Sequence, residues 1–119
     1  MTVTRPVLYG DLLHSERRLV AMMQRLQFGH FSRLRIHAGE AVLSPWPATV
    51  RGIKFGDKAV DQIESFAENV KLPRQISELL GYIRSIGTGE ILALEFRHAL
   101  PFRMEIEAAE ELDDAGGRR

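Results

Sequence analysis

The stretch Ile76-Ser-Glu-Leu-Leu-Gly-Tyr-Ile-Arg-Ser-Ile86, followed by Gly87-Thr-Gly89 and Leu92-Ala-Leu-Glu-Phe-Arg97, decides the fold class. Ile76, Leu79, Leu80, Ile83 and Ile86 recur at the spacing of one helical face. Gly87 and Gly89 then end the helix, and the period drops to two. Leu92, Leu94 and Phe96 alternate with Ala93, Glu95 and Arg97. After the turn His98-Ala-Leu-Pro101, Phe102, Met104 and Ile106 alternate with Arg103, Glu105 and Glu107. A one-faced helix beside a one-faced hairpin predicts an α+β domain, its core formed by these three apolar rows.

The same order occurs upstream. Leu12, Leu19, Met22, Met23 and Leu26 share a helical face, with Asp11 as the expected N-cap and Gly29 as the breaker. In Phe31-Ser-Arg-Leu-Arg-Ile-His37, Leu34 and Ile36 point one way, while Phe31, Arg33, Arg35 and His37 point the other. Ala38-Gly39 is a tight turn, and Glu40 to Ser44 returns as a second strand. Shifted by 60 positions, Leu26, Gly29, Leu34 and Ile36 fall on Ile86, Gly89, Leu94 and Phe96, a hint of an αββ repeat. Arg35 then corresponds to Glu95, so the two hairpins carry opposite charges at equivalent places.

Between the repeats, Ser44-Pro-Trp-Pro47 reads as an extended loop, because its prolines cannot sit in a central strand. Ala48 to Phe55 reads as a third strand with Ile53 and Phe55 on one face. Asp57 caps a further helix carrying Val60, Ile63, Phe66, Ala67 and Val70, and Pro73 opens the last one. The expected order is α-β-β-β-α-α-β-β: one antiparallel sheet of four to five strands with helices on one face. Residues 1–109 form this single domain, with 1–10 as an extended arm in which Val7-Leu8-Tyr9 can make a short strand. Residues 110–119, acidic and then Gly-Arg, are expected to be disordered.

Composition removes several classes of function. The 119 residues include no cysteine, which excludes disulfides, thiolate zinc sites and a Cys nucleophile. No apolar run approaches the roughly 20 residues that span a bilayer. The opening residues lack the apolar core of a signal peptide, so a cytoplasmic protein is expected. Net charge is zero, yet residues 1–60 hold nine Lys/Arg against four Asp/Glu, and residues 61–119 hold seven against twelve. Opposite halves can face each other within the chain or across a homodimer.

Catalytic patterns are weak. His14, His30, His37 and His98 lack the spacing of a helical His-x-x-x-His metal pair, although His37 and His98, both at hairpin ends, could meet. No serine has a Gly-x-Ser-x-Gly setting, and His14 and Ser15 diverge around their helix. Gly87-Thr-Gly89 follows a helix, whose carbonyl end repels anions, so it is no phosphate loop. No catalytic residue, metal or cofactor is therefore expected. The contact candidates are Phe31, Arg33, Arg35 and His37 on one strand face, with Arg51 and Lys54 near, and Trp46, whose flanking prolines stiffen its loop.

Two functions follow as expectations. The first is a non-enzymatic interaction module, self-associating through complementary charged sheet faces or contacting another protein. The second is a nucleic-acid-binding regulator, in which Phe31 stacks bases and the arginines hold phosphates. For the second, Thr49 to Ile86 resembles ribbon–helix–helix repressors in outline, through Val50-Arg-Gly-Ile-Lys-Phe55 followed by Asp57. It departs from them in having Lys71-Leu72-Pro73 at the break, Gly52 in mid-strand and two further strands.

Overall fold

Hydrophobic periodicity brings two helices onto one side of an antiparallel five-stranded sheet. The computed structural model describes residues 5–56 and 69–107. The elements are α1 (His14–Leu26), β1 (Gly29–His37), β2 (Glu40–Ala41), β3 (Ala48–Arg51), α2 (Arg74–Ile86), β4 (Gly89–Arg97) and β5 (Leu100–Ile106). Sheet order is β2-β1-β4-β5, with β3 also beside β1. The helix expected over Asp57 to Val70 and the 110–119 tail fall outside the described residues, apart from Asn69 and Val70. No described helix is long and apolar enough to cross a membrane.

The repeat hinted at by the sequence is carried through the described architecture. Helix α1 runs from 14 to 26 and α2 from 74 to 86; β1 runs from 29 to 37 and β4 from 89 to 97. Buried residues correspond at the same shift of 60: Leu12 with Leu72, Leu19 with Leu79, Met23 with Ile83, Phe31 with Ile91, Leu34 with Leu94, Ile36 with Phe96. Both hairpin turns put the same two positions in the left-handed region, Ala38 and Gly39 in one, His98 and Ala99 in the other. Strands β1 and β4 pair Phe31 with Leu94 and Leu34 with Ile91. Adding 60 to one member and subtracting it from the other exchanges these pairs, so the repeats are related by a pseudo-twofold axis through the β1–β4 seam.

The strands do not alternate as simply as the sequence suggests. In β1 the buried residues are Phe31, Leu34 and Ile36; in β4 they are Ile91, Leu94 and Phe96. Each strand skips two residues between its first and second buried positions, at the same level of the sheet, and Arg33 takes a φ of 55° there. Phe31 is consequently 0% exposed and belongs to the core, packed on Phe96 at 5.1 Å, instead of sharing the face of Arg33. Likewise Ile91, not Leu92, joins the core. A β-bulge between β4 and β5 buries Pro101 and leaves Phe102 46% exposed; Met104 packs on the core, and Ile106 stays at the rim.

Boundaries also shift. Strand β3 ends at Arg51, since β1 begins at Gly29 and offers no partner further on; Ile53 and Phe55 are exposed rather than facing the core. Asp11 lies in a 3-10 turn, and α1 starts after Leu13, whose N–H donates to Glu16 (2.9 Å). The described part of the arm is docked: Tyr9 N–H donates to Val70 and Leu72 N–H to Val7, both at 2.8 Å.

Candidate functional site, a basic cleft at the sheet edge

The break at Arg33 sends Ser32, Arg33 and Arg35 to the sheet face away from the helices, with both arginines exposed. Beside them the edge of the sheet opens. Strand β2 pairs Ala41 with Ile36, and β3 pairs Ala48 with Ser32. Four steps along β1 are thus matched by seven along the edge; Val42 N–H still donates to Arg35, Leu43 stays in the core, and the surplus loops out as Ser44 to Pro47, with Ser44–Pro45 cis. The result is a cleft of about 400 Å³ with Ser32, Arg33 and Arg35 on one wall and Pro45, Trp46 and Pro47 on the other.

Trp46 anchors this loop. Its ring meets Phe31 edge-on at 6.2 Å and carries the Arg18 guanidinium at 5.4 Å. Its Nε1 is buried without a hydrogen-bond partner among the described residues. Arg33 reaches Glu90 at 3.3 Å in a well-exposed pair, which contributes little to stability. Arg35 lies opposite Glu90 in the register, but its side chain makes no hydrogen bond or ion pair among the described residues. His37, opposite Glu40, is exposed at the strand end.

Arg51 and Lys54 are elsewhere. Arg51 pairs with Gly29, six residues along β1 from Arg35 and so about 20 Å away. Lys54 sits over the Phe28 ring at 6.0 Å. Of the seven predicted residues, the structure brings together Arg33, Arg35 and Trp46, with His37 at the margin; it removes Phe31 to the core and separates Arg51 and Lys54. Ser32, Pro45 and Pro47 join the site. The sequence marks the prolines only as loop stiffeners, because their place beside Arg33 depends on the edge register.

The remainder of the open face is mixed in charge. Arg103 bridges Glu95 (2.6 Å) and Glu105 (2.7 Å), and its hydrogen bond to Glu95 raises the guanidinium pKa further. Arg97 stacks on Phe102 at 4.1 Å. His37 and His98 do not meet. Because β1 and β4 are antiparallel, they lie at opposite ends of the sheet, and His98 packs on Phe28 instead. Among the described residues no three His, Asp or Glu side chains are grouped to hold a metal. Strand β3 pairs with β1 of its own chain, so it is not a free strand of the ribbon–helix–helix kind.

Comparison with protein families, with curated proteins and with solved structures finds no match.

Proposed function

We propose that the domain is a cytoplasmic, non-enzymatic interaction module that self-associates through the open face of its sheet. One observation carries the reading: on that face the basic row Arg33, Arg35 and His37 of β1 lies beside Glu90 of β4, which the register sets opposite Arg35. A twofold axis parallel to the strands, between β1 and β4, sets Arg35 of each copy over Glu90 of the other; Glu95 and Glu105, bridged by Arg103, lie further along, at the levels of His30 and Ser32. Such a contact is isologous and closes at two copies. Opposite charge gives it orientation and speed of encounter more than strength.

Sedimentation equilibrium at rising salt tests it. The expected result is a dimer at low salt that dissociates as screening shortens the reach of its charges. Arg33→Glu with Arg35→Glu should give a monomer. A chain that sediments as a monomer at every concentration and salt level overturns the proposal.

Nucleic-acid binding is the second reading, favoured by the two exposed arginines of the cleft. Phe31 is buried and cannot stack a base, so this reading rests on charge and on Trp46. It requires retention of mixed-sequence DNA or RNA at low salt, with steep loss as salt rises.

A further inference from the structure

The two halves share what folding needs: a helix, a paired strand, the same buried positions and the same left-handed turn. They part company at the cleft. Arg33 and Arg35 correspond to Ala93 and Glu95, which would offer an anion nothing or repel it. The outward loop from Ser44 to Pro47 has no counterpart either. Strand β5 continues past the equivalent point with a single-residue bulge, matching three steps of β4 with four. The second half shows that a helix–hairpin unit closes its core without two neighbouring arginines and a proline-flanked tryptophan. Their presence in the first half calls for another cause.

We infer that this cleft binds the phosphate group of a small phosphate ester. Charge selects phosphate. Arg33 and Arg35 stand two residues apart on one face, and Glu90 pairs with only the first. A phosphate that takes Arg33 from its well-exposed pair with Glu90 engages both guanidinium groups, and their forked donors suit its oxygens. The Ser32 hydroxyl, without a hydrogen bond among the described residues, stands on the same wall. Size selects a small ester: about 400 Å³ lies within the range of small-ligand sites and exceeds what a bare phosphate fills. The opposite wall is the Pro45-Trp46-Pro47 lip, whose prolines restrict its motion and reduce the entropy lost on binding. This site goes beyond the self-association reading. Because both use Arg33 and Arg35, ligand and second copy exclude one another.

The test uses the full chain at a dilution where sedimentation gives a monomer. Trp46, the only tryptophan, reports through its emission, and titration calorimetry reports independently of it. AMP, inorganic pyrophosphate, adenosine and a short single-stranded oligonucleotide are the probes. The expected result is saturable AMP binding, weaker pyrophosphate binding and none with adenosine; Arg35→Gln weakens AMP about tenfold, and Arg97→Gln, on the same face outside the cleft, leaves it unchanged. Equal binding of adenosine, or equal loss with Arg97→Gln, overturns the phosphate site. Binding of the oligonucleotide alone replaces it with nucleic-acid recognition. Neither heat nor emission change up to about 10 mM AMP, well above the millimolar range of weak sites, overturns it while leaving self-association standing.

Discussion

Arg84 of α2 closes on Glu16 of α1 in a two-pronged ion pair, Nε to Oε2 and Nη2 to Oε1, each at 2.7 Å. Glu16 is only 2% exposed, and its other protein contact is the Leu13 N–H at the start of α1. The pair therefore ties the two helices together and caps one of them. It also departs from the repeat: Glu16 corresponds to Ile76 and Arg84 to Gln24, so one such bridge exists where strict symmetry would make two.

Breaking this pair from one side should be costly. Arg84→Met leaves a buried carboxylate without its partner and is expected to lower stability by about 3 kcal/mol or more. Glu16→Leu together with Arg84→Met should recover most of that loss, because neither charge then remains buried. Urea denaturation of both variants checks it; a double variant no more stable than the single contradicts this account. The hydrogen bond to Glu16 raises the Arg84 pKa above its ordinary value. A base with a raised folded pKa loses its contribution only as pH climbs through that value, so Arg84 adds no pH dependence between about pH 5 and 9.

Phe31 and Arg33 separate structural from surface roles on one strand. Phe31→Ala removes a fully buried ring packed on Phe96 and Trp46, and should cost about 3 to 5 kcal/mol. Arg33→Ala removes an exposed side chain and should stay within about 0.5 kcal/mol. Thermal melts with calorimetry decide it. Comparable losses would mean that β1 alternates regularly after all.

Gly29 and Gly89 occupy equivalent positions but should tolerate alanine differently. Gly29 has a φ of 150°, and a Cβ there would lie 2.1 Å from the Val50 carbonyl oxygen, where β3 crosses close. At Gly89 the nearest contact would be Ile86 Cγ2 at 3.1 Å, a side-chain atom able to move. Gly29→Ala is expected to cost at least about 2 kcal/mol and to loosen β3, and Gly89→Ala less than about 1 kcal/mol. Amide exchange at Arg51 and Gly52, compared between the variants, reads the loosening directly.

Ser77 fastens the N-terminal arm. Its buried hydroxyl donates to the Pro6 carbonyl oxygen. Ser77→Ala leaves that oxygen without its donor and should cost about 1 to 2 kcal/mol. The Tyr9 and Leu72 amides, which hold the arm to the segment before α2, should exchange faster than those of β1. Unchanged exchange at both would show that the arm is held by its other contacts alone.

The amino-acid sequence by itself determined the layered α+β architecture and hinted at its internal repeat. Ile76 to Ile86 and Leu19 to Leu26 carry a helical period, the hairpins a shorter one, and glycines divide them; each signal is written within a few neighbouring residues, so it can be read without knowing what packs where. Tertiary structure decided the rest. Phe31 faces the core because β1 and β4 skip a step together, opposite each other, to keep Phe31 against Leu94 and Leu34 against Ile91. The cleft exists because seven edge residues span four of β1, and Glu16 meets Arg84 because the pseudo-twofold axis brings α1 beside α2. These are relations between segments far apart in the chain. Register and backbone bulges are chosen by the partner strand, so local alternation carries no record of them.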